Sequence, residues 1–143
     1  MTLKGILKHK PAGFLAVAPD ARISQVVALL AEKHIGALLV TDNGKLVGIL
    51  SERDVVRTLA GHGPLTLDMT AADLMTHNPS TAAPDISVEQ AMAMMTQGRF
   101  RHLPIIEDGA LTGLVSIGDV VKAMIEQSQQ EVENLRTYVA GTV

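Results

Sequence analysis

Apolar positions along the chain follow two rhythms, and the same succession of rhythms occurs twice. Ile23, Val26, Val27 and Leu30 recur at steps of three and four, as do Val88, Ala91, Met92 and Met95. That spacing gathers apolar side chains on one helical face and predicts two amphipathic helices, the second opened by Ser87 and Gln90 in a capping-box pattern. Unbroken apolar runs follow each helix. Leu38-Leu39-Val40 and residues 46–50 flank Asp42-Asn43-Gly44-Lys45, while residues 103–106 and 111–115 flank Glu107-Asp108-Gly109-Ala110. Short apolar runs around Asn-Gly or Asp-Gly predict β-hairpins. Further helices are expected from Ser51 and from Ser116, and short extended stretches ending in Pro-Asp, residues 14–19 and 79–84, open the two sets.

Residues 18–57 and 83–122 align without a gap and agree at about a third of positions, so one supersecondary unit is repeated. A unit of about 60 residues is marginal alone, and two such units bury their open sheet faces by packing on each other. The expected fold is mixed α/β (α+β): two pseudo-symmetric β-α-β-β-α repeats packed through their sheets, with a C-terminal helical extension. Residues 14–60 form the first repeat, 61–78 a linker with a short helical turn, 79–125 the second repeat and 126–143 a helical tail, all in one module over 1–143. In the tail, Val121, Ile125, Ser128, Val132, Leu135 and Val139 follow 4-3-4-3-4 spacing, a heptad seam with one polar interruption. Two readings stay open for it: a helix laid over its own domain, or one that pairs with a partner subunit.

Composition narrows the function classes. With 143 residues, 47% hydrophobic, and a formal charge of −3, the chain is expected to fold as a compact soluble protein. The absence of cysteine removes disulfides, thiolate metal sites and cysteine nucleophiles. No apolar stretch is long enough to span a bilayer, and the first residues lack a signal-peptide apolar region, so a cytoplasmic location is expected. Mild acidity, two Phe, one Tyr and no Trp speak against nucleic-acid binding. The five histidines show no metal-ligand spacing, the methionines read as gap-filling core or interface residues, and Lys4, Lys8, His9 and Lys10 read as a solvated helix face. No nucleophile is paired with a base and no Gly-x-x-x-x-Gly-Lys loop occurs, so the expected protein is not an enzyme.

The chemistry centres on Ser51-x-x-Asp54 and Ser116-x-x-Asp119, each following a glycine, Gly48 or Gly113, by three residues. Serine followed by an acid three residues on is a helix-capping pattern. At a strand end and helix start it also suits an anion: the serine hydroxyls bond phosphate oxygens, the aspartates accept ribose hydroxyls, and the glycines leave room for a ligand ring.

These motifs resemble the cystathionine β-synthase (CBS) domain, whose tandem pair forms a Bateman module. The resemblance covers residues 14–57 and 73–122 and includes Asp73-Leu74-Met75-Thr76, Gly48-Ile49-Leu50-Ser51-Glu52-Arg53-Asp54 and Arg99-Phe100-Arg101-His102-Leu103-Pro104-Ile105. It implies a regulatory protein that performs no chemistry and has no catalytic cofactor. An adenosine ligand, of the AMP, ATP, NAD(H) or S-adenosylmethionine class, would bind in clefts between the repeats. It further implies a homodimer or higher homo-oligomer and an unidentified regulated protein, while composition leaves no membrane or nucleic-acid partner expected. Carried over, Asp54 and Asp119 match the ribose acids and Ser51 and Ser116 the hydroxyl residues, with Arg53 an added cation. Arg101 and His102 match phosphate-facing positions, where the first repeat has Gly36 and Ala37. Ile35, Val17 and Leu38, with Phe100, are candidates to enclose the base, Thr81 to contact the ligand, and Pro104 to line the site. A structural adaptor with vestigial clefts is the alternative.

Overall fold

The computed structural model describes residues 1–10 and 14–141. Helices α1 (Leu3–His9) and α2 (Ile23–Lys33) are followed by the hairpin of β2 (Ala37–Asp42) and β3 (Lys45–Ser51) and by α3 (Glu52–His62). The second repeat matches α2, the hairpin and α3 in α5 (Val88–Gly98), β5 (His102–Glu107), β6 (Ala110–Ser116) and α6 (Ile117–Gly141). Ile23, Val26 and Leu30 of α2 and Val88, Ala91 and Met95 of α5 are buried, the apolar faces that the spacing predicts. Both hairpins turn on adjacent residues of positive φ, Asn43 and Gly44 in one and Asp108 and Gly109 in the other, the pair that a two-residue type I′ turn requires. Each hairpin carries a register shift at the same place, between Val40 and Thr41 and between Ile105 and Ile106.

The first sheet has the order β1-β2-β3-β4, with β1 (Ala16–Val17) parallel to β2 and β4 (Thr76–His77) antiparallel to β3. In the second, the extended stretch expected at 79–84 contracts to a single parallel bridge, Ala82 to Ile105. Pro79 and Pro84 lack the N–H a longer ladder needs, so only the Ala82 N–H donates to the Pro104 carbonyl at 3.1 Å and the Ala82 carbonyl accepts from Ile106 at 2.9 Å.

Each hydrophobic core is completed by the segment that precedes the other repeat. Leu3 and Ile6 of α1 are buried with Val88, Leu103, Ile105, Val115 and Val120, whereas Ala71 of α4 (Ala71–Leu74) is buried with Ile23, Val26, Leu38 and Leu50. Backbone bonds fix the exchange. Leu3 N–H donates to Ile86 and Lys4 N–H to Pro84, at 3.1 and 2.8 Å, and Ala71 N–H donates to Ala21 and Ala72 N–H to Pro19, at 2.8 and 2.9 Å. Residues 61–78 are therefore more than a linker: after a 3₁₀ turn, Gly63–Asp68, they supply a helix and an edge strand to the first repeat.

The same exchange explains Gly48 and Gly113. A Cβ on Gly48 would lie against Met75 Sδ, 2.8 Å from Met75 Cγ and 3.0 Å from the Thr76 carbonyl oxygen, and one on Gly113 would lie 2.8 Å from Leu7 Cδ2. The space these glycines leave is taken by protein side chains, not left open to a ligand ring as the sequence suggested. Gly48→Ala should cost about 1–3 kcal/mol, because a backbone oxygen cannot step aside. Gly113→Ala should cost less, since the tip of Leu7 can rotate; denaturant unfolding of the two variants checks the order.

Beyond Ser128 helix α6 leaves the module, and its side chains from 129 to 140 are exposed. Val132 is 49% and Leu135 63% exposed, which overturns the reading that the tail lies over its own domain. No helix among the described residues is long and apolar enough to cross a membrane.

Candidate functional site

Where β3 ends and α3 begins, Ser51 and Asp54 form the reciprocal cap that their spacing predicts. Asp54 Oδ2 accepts from the Ser51 N–H at 2.8 Å and from its hydroxyl at 3.0 Å, while Ser51 Oγ accepts from the Asp54 N–H at 3.3 Å. The cap uses one carboxylate oxygen. Among the described residues Oδ1 has no hydrogen-bond partner, so capping and ligand acceptance are compatible in the same side chain.

Asp54 lines a cavity of about 510 Å³, within the range of small-molecule sites. Of the sequence candidates, Gly36, Ser51, Arg53, Asp54, Phe100, Arg101 and His102 meet on its wall. The turn after α5 brings three of them in. Arg99 stands in the left-handed region at φ 56° and the Phe100 ring packs where Gly98 has no side chain, its Cδ1 2.6 Å from the position a Cβ would take. Arg57, Arg99, Thr76 and Ile49 also line the cavity and were not among the sequence candidates. Arg57 had a signal, since it follows Arg53 by four residues on the same helix face. Arg99 and Thr76 sit inside motifs already noted, but nothing local says where their side chains go.

Four guanidiniums thus share the wall with the carboxylates of Glu52 and Asp54. Arginine's planar donor fork matches phosphate oxygens. At the symmetry-related positions of Arg53, Arg57, Arg99 and Arg101 the chain has Gly118, Lys122, His34 and Gly36, so the two sides of the module are unequal in charge.

On the other side, Asp119 repeats the cap: its Oδ2 accepts from the Ser116 N–H at 2.9 Å and Ser116 Oγ accepts from the Asp119 N–H at 3.1 Å. Here the carboxylate is also held by Lys10, whose Nζ lies 2.7 Å from Oδ2 and donates to the Leu114 carbonyl at 2.9 Å. Lys10 is thus not part of a solvated face. Burial alone would raise the Asp119 carboxyl, but the Lys10 hydrogen bond and charge and the Ser116 donors outweigh it and hold it below the usual carboxylate range.

Ser116 and Asp119 lie away from the Asp54 cavity. Thr81 is exposed on its loop. Ala37, Leu38 and Pro104 are buried in their strands, and Val17 and Ile35 pack half-buried against the first core. These five belong to the core and its margin, not to the cavity wall. Among the described residues no three His, Asp or Glu side chains are grouped to hold a metal.

His102 titrates below the ordinary histidine range, because burial and then the Lys10 charge disfavour its cation more than Asp119 and Glu52 favour it. Unfolded, the same imidazole takes up its proton at a higher pH, so the stability it contributes is complete above about pH 6.5 and falls as pH drops through that value. His102→Gln should lose less stability than wild type between about pH 7.5 and 5.5, read as the difference in thermal midpoint.

The comparisons with known proteins agree with this architecture. The CBS domain model matches twice, at residues 6–61 and 71–126. A CBS domain-containing protein of Agrobacterium tumefaciens is 40% identical with a TM-score of 0.84, the match covering 87% of this chain and 99% of that one. The mitochondrial CBS domain-containing protein CBSX3 of Arabidopsis thaliana is 32% identical across 98% of this chain and 72% of its own length. The structure of CBSX2 in complex with AMP is 26% identical with a TM-score of 0.73, the match covering 87% of this chain and 97% of that one. With two matched domains that fill most of its length and the same fold in its neighbours, the chain belongs to the CBS domain family as a tandem pair.

Proposed function

We propose that the chain is a regulatory sensor that binds one adenosine nucleotide in the Asp54 cleft and passes occupancy to a partner protein or to a second copy of itself. The observation that carries this reading is the cavity that joins a carboxylate with an uncommitted oxygen to four guanidiniums. In it Asp54 Oδ1 accepts ribose hydroxyls, Ser51 holds the carboxylate in place through its own hydroxyl, the arginines hold phosphate oxygens, and Phe100 with Ile49 encloses the base. The AMP complex of CBSX2 supports the ligand class. Occupancy shifts the module only insofar as the ligand prefers one arrangement of repeats or subunits. The Asp119 side is the weaker candidate, because Lys10 already neutralises its acid.

Four guanidiniums favour anionic ligands over S-adenosylmethionine, whose sulfonium is cationic. Calorimetric titration with AMP, ATP, NADH and S-adenosylmethionine should give about one site per chain for the phosphorylated ligands and the weakest binding for S-adenosylmethionine. Absence of binding by all four at millimolar concentration removes the sensor reading. It would leave the second reading, an oligomerisation adaptor, which the exposed apolar residues of α6 favour. Neither reading includes catalysis, and intact nucleotide after long incubation is the expected result.

A further inference from the structure

The exposed face of α6 has a pattern that goes further than self-association in general. Ile125, Val132 and Val139 are spaced by seven, as are Val121, Ser128 and Leu135. The two series form the a and d positions of one seam. Val121, Ile125, Val132 and Leu135 along it are all at least 41% exposed, so apolar surface continues from the module to near the end of the helix. At its root the seam runs into an apolar groove between α5 and α6, where Met92 lies beside Val121, Met124 and Ile125. From Val121 to Leu135 the stripe is about 20 Å long at 1.5 Å per residue.

Two features of the pattern choose the occupant. The a positions Ile125, Val132 and Val139 are β-branched and the d positions are Val121, Ser128 and Leu135; Val132 with Leu135 is the combination that, once strands are parallel, favours two of them over three or four. The flanking charges set the direction. Glu131 falls at g and Arg136, five residues on, at the following e; in a parallel in-register pair each g faces the next e of the other helix, so Glu131 meets Arg136 twice by symmetry. In antiparallel pairing e faces e and g faces g. Arg136 would then meet Lys122, Gln129 or Arg136, and Glu131 would meet Met124, Tyr138 or Glu131, with no opposite-sign pair in any register. Within its own chain Arg136 has no ion pair among the described residues.

We infer that the α6 seam is covered by a second copy of the chain in a parallel, in-register, two-stranded pairing, which sets two modules side by side at the same end of a short coiled coil. This rests on self-association and not on ligand binding. The chain has no cysteine, so single substitutions report the pairing cleanly. Ser128→Cys and Leu135→Cys, made separately and oxidised in the full-length protein, should both give disulfide-linked dimers, because only parallel strands bring each d position against itself. Glu131→Arg should weaken the dimer about three- to tenfold, and adding Arg136→Glu should restore it. Light scattering of the wild type separates the two levels. A monomer at every concentration overturns the pairing and self-association together. A dimer in which at most one of the two cysteines cross-links, or in which the double charge reversal fails to restore what the single one lost, overturns the parallel pairing alone.

Discussion

Leu3→Ala should unfold this protein as readily as a substitution at its geometric centre. The third residue of a chain is ordinarily a tolerant position, yet Leu3 is fully buried in the second core. Removing a buried leucine side chain to its Cβ costs about 2–5 kcal/mol, a large part of the 5–15 kcal/mol typical of a folded domain. The thermal midpoint should fall by roughly 5–15 °C. Leu65→Ala, at a side chain that is 70% exposed, is the matched control and should move stability by no more than about 0.5 kcal/mol. If the two variants unfold together, α1 is not part of the second core.

Asp54→Ala should weaken binding of a phosphorylated adenosine ligand by about ten- to a hundredfold, the worth of hydrogen bonds to a charged acceptor. Asp119→Ala should leave that affinity nearly unchanged, because its carboxylate is engaged by Lys10 outside the Asp54 cavity. Asp54→Ala also removes the acid's half of the reciprocal cap, its bond from the Ser51 N–H, at about 1 kcal/mol of stability. Asp54→Asn separates the two roles: its side-chain oxygen can still cap, while the charge that favours ribose hydroxyls is gone. Calorimetry on the three variants, with thermal unfolding alongside, reads both quantities. Equal losses in Asp54→Ala and Asp119→Ala would mean that the clefts act alike and that the Lys10 pair gives way to ligand.

What the sequence made legible was local. Ile23, Val26 and Leu30 face inward because helical spacing leaves them no other common side, and Asn43-Gly44 turns because few other pairs accept two positive φ values. Ser51 and Asp54 were readable both as cap and as candidate site, and the structure shows the cap, made through Oδ2 with Oδ1 unbonded among the described residues. The long-range pairings were not legible. Leu3 and Ile6 announce an apolar helix face but not which of two similar cores receives it, and Lys10 and Asp119 meet across 109 positions. The glycines misled for the same reason: Gly48 is a gap in its own strand, but the side chain that fills it, Met75, arrives from the far side of a helix and a 3₁₀ turn.

Because each repeat lends its leading segment to the other, a cut through the 3₁₀ turn does not yield two autonomous domains. The fragment that carries the first hairpin would hold α1, which belongs to the second core, and the other fragment would hold α4 and β4, which belong to the first. Each piece is the other's missing part. The two fragments, each unfolded alone, should assemble when mixed, and a lone repeat should find its complement only in another copy of itself, as in a domain-swapped pair.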